Sequence, residues 1–184
     1  MNTKIIFAYR DRQAAVAEAV RAILRGDIVV LPTETVYGLA ANALDAAAVQ
    51  KIFAAKGRPQ DNPLIVHIAQ RAMADEVAAD IPEAAEILME KFWPGPLSLV
   101  LRKGGALPDV VSAGLSTAAV RMPQNDIMLD IIKGAGVPLA APSANRSGRV
   151  SPTTAQHAAE DMLGRVPLII DGGPCDVGVE STAL

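Results

Sequence analysis

The stretch KGRPQDNPLIVH, Lys56 to His67, brings two fixed cations, two prolines, two side-chain amides and one of the chain's two histidines together. Cations at the end of a predicted helix have an ordinary role, because they interact with the helix dipole for about 0.3–1 kcal/mol. Gly57 and Pro59, however, force the chain out of the helix and leave Lys56 and Arg58 on a stiff loop. A unit charge held ~4 Å from a phosphate is worth roughly 4 kcal/mol at an effective dielectric near 20. Two such charges on a rigid loop suit a polyphosphate. His67 sits within an apolar strand pattern, where a lone histidine is more often structural than functional.

Three further stretches carry the same kind of chemistry. In LPTETVYGLA, residues 31–40, Thr33, Glu34, Thr35 and Tyr37 follow an apolar run. Either they line a ligand site beyond a strand end, or their hydroxyls cap neighbouring backbone. In STAAVRMP, residues 116–123, Arg121 closes a nearly pure apolar strand. Such an arginine must reach water or pair with an anion, since an unpaired buried charge is very costly. It could hold a ligand carboxylate through two parallel hydrogen bonds, or a structural acid. In APSANRSGRVSPT, residues 141–153, hydroxyls, an asparagine and small residues allow close approach of an anion to the backbone. Read as following strands, the four stretches could be brought to one edge of a sheet.

Other chemistries lack their signatures. There is no G-x-x-x-x-G-K-[ST] loop, no G-x-G-x-x-G turn, no metal-ligand cluster and no G-x-S-x-G elbow. The single cysteine, Cys175, excludes an intramolecular disulfide framework, and nothing beside it activates a thiolate. The tripeptide NRS matches a glycosylation pattern without a secretion signal beside it. Twenty acidic against seventeen basic residues, net −3, argue against a surface that grips nucleic acid everywhere, though not against a local basic pocket. No apolar run reaches membrane-spanning length, so no membrane partner and a cytoplasmic setting are expected.

The elements that must position these residues alternate. Helices are predicted over 12–25 with Asp11 as cap, over 45–56 with Asp45 as cap and Gly57 closing, twice within 70–92 with Pro82 opening the second, and near 125–133. Another follows Thr153, whose spacing to Gln156 fits a capping box. Strands are predicted at DIVVLP, PLIVHI, LSLVLR, TAAVRMP, VPLAAP and VPLIIDGG. This order predicts one α/β domain over residues 1–184 with a mixed sheet. The closing VESTAL reads as the start of a strand, so the domain is expected to be cut short at its C-terminal end. Residue physics alone thus reaches a pocket for an anionic, phosphorylated ligand.

Taken in order, PTETVYGLA, KGRPQDNPLIVH, FWPGPLSLV, VRMP, APSANRSGRVSPT and DGG…GVEST resemble the YrdC-like family of threonylcarbamoyl-AMP synthases. The resemblance implies a twisted mixed α/β sheet with flanking helices around a basic concave cavity. It implies a nucleotidyltransferase that makes L-threonylcarbamoyl-AMP and diphosphate from L-threonine, bicarbonate and ATP with Mg²⁺. That product feeds the downstream machinery for threonylcarbamoyladenosine at position 37 of tRNAs reading ANN codons. Threonine is then expected near Thr35, His67, Arg121, Ala141 and Ser181. ATP is expected near Lys56, Arg58, Asn62, Thr117, Ser143, Asn145 and Ser151, with Lys56 and Arg58 as the catalytic cations. The competing readings are an RNA-binding module, or weak RNA binding beside the enzyme activity, and a paralogue acting on a different acyl or carbamoyl substrate.

Overall fold

The computed structural model of this chain describes residues 1–57, 59 and 62–184. Arg58, one of the two expected catalytic cations, lies outside the described residues. In chain order the elements are β1 (Lys4–Phe7), α1 (Arg12–Leu24), β2 (Val29–Leu31), β3 (Gly38–Asn42), α2 (Ala46–Lys56), β4 (Ile65–His67), α3 (Ala72–Val77) and α4 (Glu83–Phe92). They continue as β5 (Leu97–Arg102), α5 (Asp109–Ser112), β6 (Thr117–Arg121), α6 (Asp126–Ala135), β7 (Leu139–Ala140), α7 (Ala155–Met162), β8 (Leu168–Asp171) and β9 (Thr182–Ala183).

Local chemistry explains most boundaries. Asp11 accepts from the Ala14 amide at 2.9 Å and starts α1, and Asp45 does the same for Ala47 at 2.9 Å in α2. Gly57 ends α2 at φ 65, a left-handed turn that sends the chain away from the helix axis directly after Lys56. The α7 cap is Thr154, whose hydroxyl accepts from the His157 amide, and not the expected Thr153. The Thr153 hydroxyl lies 3.4 Å from His157 Nδ1 instead. Spacing could not choose between two adjacent threonines.

Among the described residues the strands form one mixed sheet in the order β1-β8-β2-β3-β7-β4-β6-β5-β9. Pairings β1/β8, β2/β8, β4/β6 and β5/β9 are parallel, and β2/β3, β3/β7, β4/β7 and β5/β6 are antiparallel. Its central strands are apolar on both faces, as burial between layers requires: Val29, Val30, Leu31, Val66, Ile169 and Ile170 are all fully buried. Alanine does much of the packing. α1 lies along α6 with Ala15 and Ala19 inaccessible, and a Cβ on Gly134 would stand 2.9 Å from Val20 Cγ2. Among the described residues no helix is long and apolar enough to cross a membrane.

Two expectations need correcting. The Lys56–His67 loop does not follow a strand; it leaves α2 and precedes β4. Residues 38–40, read as the end of a polar turn, instead begin strand β3 (Gly38–Asn42) between β2 and β7.

Candidate functional site

Side chains two apart on a strand share a face, and this parity sets the site. His67 of β4 pairs with Arg121 of β6, and Ile65 pairs with Ala119 one step back along the same face. Across β6, Val100 of β5 stands opposite Ala119, and Arg102 opposite Thr117. Continuing that register places Ser98 opposite Arg121. Polar groups therefore collect where β4 and β6 end, and the row behind them is small or apolar.

At this end of the sheet a cavity of about 270 Å³ opens, lined among others by Thr35, Asn62, His67, Arg121, Ala141, Ser143 and Ser181. It joins residues from every one of the four polar stretches. The charged groups lining it, among the described residues, are Arg121 and Glu180. Lys56 is set behind this wall, on the Ser143 and Asn145 carbonyls.

Arg121 is 3% exposed and held on one edge. Its Nε donates to the Gly95 carbonyl at 3.2 Å, and its Nη2 donates to Thr35 Oγ1 at 3.1 Å. The Glu34 carboxylate lies 2.7 Å from Nη2 but out of line with its N–H bonds, an ion contact more than a hydrogen bond. Among the described residues no hydrogen bond is made by Nη1, the remaining corner of a five-donor fork. Gly95 is needed for this arrangement, because a Cβ there would meet the Phe92 carbonyl oxygen at 2.4 Å. Gly95→Ala should shift that backbone, cost about 1–3 kcal/mol in urea unfolding, and weaken carboxylate binding at Arg121. Unchanged stability and unchanged amino-acid affinity would show that the carbonyl does not hold the arginine.

His67 is a neutral imidazole in this setting. Burial, then the neighbouring Arg121 charge, lowers its pKa from 6.5 to about 3. Its Nδ1 has no hydrogen-bond partner among the described residues. Such a ring is too weak a base to carry a proton near neutrality. The same shift makes stability depend on pH. The unfolded chain binds this proton near 6.5 and the folded protein only near 3, so the stabilising contribution is complete above 6.5 and falls as pH drops toward 3. The limiting slope is about 1.4 kcal/mol per pH unit. His67→Gln should therefore lose stability less steeply than the parent between pH 6.5 and 4 in urea titrations. Parallel slopes would contradict the assignment.

The loop after β7 is fastened from three sides. Leu39 and Ala144 amides donate to Pro142 and Tyr37 carbonyls, both at 2.8 Å, zipping the loop to the segment around Gly38. Lys56, 3% exposed, donates to the Ser143 carbonyl, to the Asn145 carbonyl at 2.8 Å and to Asn145 Oδ1 at 3.2 Å. Asp161 of α7 accepts from the Arg146 amide at 3.0 Å and from Arg149 at 2.7 Å. A buried ammonium thus lies directly beneath the Ser143–Asn145 turn, and its charge stiffens that turn.

The other expected site residues are placed as follows. Asn145 sits behind Ser143, bound to Lys56 and to the Arg149 carbonyl at 2.5 Å. The Ser151 hydroxyl donates to Glu180 at 2.5 Å, on the cavity rim. Thr117 shares the Arg121 face but begins β6, roughly 13 Å along the strand at about 3.3 Å per residue. Only an extended ligand could touch both. Tyr37 is a structural pin: its hydroxyl donates to Gly173 at 2.5 Å and accepts from the Gly172 amide at 3.2 Å, and burial pushes its pKa up. Burial likewise pushes the Cys175 thiol up to about 11, so it is no nucleophile. Sequence reasoning missed Ser98, whose hydroxyl lies 3.0 Å from that of Ser181, as well as Gly95 and Glu180. The signal for Ser98 was available: a lone polar residue inside the apolar run LSLVL.

Comparisons with known proteins place the chain in a family and match its fold. The family model Sua5_yciO_yrdC, described as telomere recombination, matches residues 21–184. A threonylcarbamoyl-AMP synthase of Pyrococcus abyssi is 56% identical over 162 residues, which cover 88% of this chain and 48% of that protein. One of Bacillus subtilis is 52% identical over 170 residues, covering 92% of this chain and 49% of the relative. The crystal structure of P. abyssi Sua5 complexed with L-threonine superposes with a TM-score of 0.93 at 51% identity, covering 98% of this chain and 54% of that one. The chain spans about half the length of these relatives.

Proposed function

The chain belongs to the Sua5/YciO/YrdC family, and from that premise we propose that it joins L-threonine, bicarbonate and ATP into L-threonylcarbamoyl-AMP with release of diphosphate. The observation that carries this reading is the convergence of Thr35, His67, Arg121, Ala141 and Ser181 on one cavity with Asn62 and Ser143. One group of residues suits an amino acid, and the other suits a phosphate chain beside it.

In this reading the threonine carboxylate meets Nη1 of Arg121. Bicarbonate breaks into CO₂ and hydroxide; the threonine ammonium gives one proton to that hydroxide, forming water, and the freed amine attacks CO₂ and releases its second proton to solvent, giving a carbamate. A carbamate oxygen then attacks the α-phosphorus of ATP in line, and the bond to diphosphate breaks. His67 does not take the proton, since its imidazole is too weakly basic at neutral pH. The protein's main contribution is positioning two anions and offsetting their charge with fixed cations. Lys56 supplies one of those cations under the Ser143–Asn145 turn. Arg58 is expected to supply the second.

Among the described residues no group of three or more His, Cys, Asp or Glu could hold a metal ion. Mg²⁺ fits this site as an ion carried on the nucleotide phosphates, where it would offset the charge of the leaving diphosphate. The product would feed threonylcarbamoyladenosine formation at position 37 of tRNAs reading ANN codons.

The test is diphosphate release from ATP, Mg²⁺ and bicarbonate with threonine, serine or no amino acid. Threonine-dependent release, with serine weaker, is the expected result. Salt-resistant RNA binding with no amino-acid-dependent turnover would replace this reading with the RNA-binding one.

A further inference from the structure

Glu34 takes no part in the chemistry above, yet it is one of the most deeply buried charged residues of the protein, at 3% exposure. Its Oε1 lies 2.7 Å from Arg121 Nη2. Neither carboxylate oxygen has an aligned hydrogen-bond donor among the described residues. Thr33 and Thr35 line the ligand cavity, whereas Glu34 lines a separate recess with Asn125, Asp126 and Asp176. The carboxylate therefore reaches the guanidinium from behind the Thr33–Thr35 turn. A residue placed to steer Arg121 would be aligned with its N–H bonds, as Gly95 and Thr35 are. Glu34 supplies charge without alignment.

We propose that Glu34 is the counter-charge of Arg121 and cancels the field of that guanidinium, so that the cavity admits a zwitterionic α-amino acid and excludes a simple carboxylate anion. This rests on the amino-acid reading of the cavity given above. An anion leaving water for a guanidinium whose charge is already cancelled meets a desolvation cost with little to offset it. A zwitterion brings its own cation. The Glu180 carboxylate is on the wall to receive an ammonium group. Glu34 is a positioning residue in this scheme, since it acts on the ligand only through Arg121.

The experiment compares the parent protein with Glu34→Gln, which keeps the shape and removes the charge. Binding of L-threonine and of 3-hydroxybutyrate, which is threonine without its amine, is measured by calorimetry, and acetate is tested by its effect on Tm. The parent should prefer threonine by about 100-fold or more, and acetate should leave its Tm unchanged. In Glu34→Gln the preference should narrow by about tenfold or more because the anion gains affinity, and acetate should now raise Tm. Glu34→Asp should restore most of the preference. A purely structural role would weaken both ligands together and leave their ratio unchanged, which overturns the proposal. If Glu34→Gln does not fold, the parent decides alone: 3-hydroxybutyrate competing within about tenfold of threonine would also overturn it. A parent that binds no threonine refutes the amino-acid reading, while the acetate comparison still decides whether Glu34 cancels the charge of Arg121.

Discussion

Arg121→Met should nearly abolish threonine use, raising its KM by about two orders of magnitude or more, and should also lower stability. Both effects come from one guanidinium. Removing one partner of a buried, hydrogen-bonded charge pair costs about 2–5 kcal/mol. Here the substitution deletes the expected carboxylate contact at Nη1. It also strands Glu34, whose carboxylate has no aligned donor among the described residues. A stranded buried charge costs about 3–5 kcal/mol of stability. Arg121→Lys separates the two effects. It keeps a positive charge near Glu34 and loses the planar fork, so it should fold better than the methionine variant and still bind threonine poorly. Urea unfolding and threonine titration on both variants are the measurements. Normal threonine kinetics in Arg121→Met would remove the arginine from the substrate site.

Lys56→Met should cut diphosphate release by about 10²–10³-fold while leaving threonine binding alone within a few-fold of the parent. Loss of one preorganised charge at a developing negative centre costs roughly 3–4 kcal/mol in the transition state. The ammonium lies under the Ser143–Asn145 turn, not on the threonine side of the cavity. Its loss leaves the Ser143 and Asn145 carbonyls short of a donor, so stability should fall by about 1–3 kcal/mol as well. Calorimetry with threonine, followed by single-turnover diphosphate release, distinguishes the two. Equal losses in both assays would mean that Lys56 acts only by holding the fold.

Much of this frame could be read from residue patterns, and the failures have physical reasons. Asp11, Asp45 and Gly57 marked helix ends because their roles are local. β3 escaped notice because Gly38–Asn42, GLAAN, has neither branched nor aromatic residues; its strand form comes from β2 and β7 on either side. β1 and α5 were also unread, being short and defined by their neighbours. At the site, Arg121 stood out because a charge ending an apolar strand must have a partner. Of its alternatives, the structural acid is present as Glu34, and Nε and Nη2 are held by Gly95 and Thr35. That pairing joins segments far apart in the chain, and no local pattern encodes it. Lys56 was read as a phosphate contact from the loop, whereas the fold turns its side chain inward onto two carbonyls. Burial of a lysine at a helix end depends on what packs over it.

The sheet has a narrow waist. Among the described residues β3 and β4 do not pair directly; they are joined through β7, two residues long, which pairs Ala41 with Ala140 on one side and Val66 with Ala140 on the other. Gly38 and Thr35 belong to one half, and His67 and Arg121 to the other. A molecule filling the hollow therefore bridges a seam, and occupancy should cross-brace the two halves against shear. Substrate would then act on the scaffold as a removable rivet, linking affinity to the cohesion of the whole sheet.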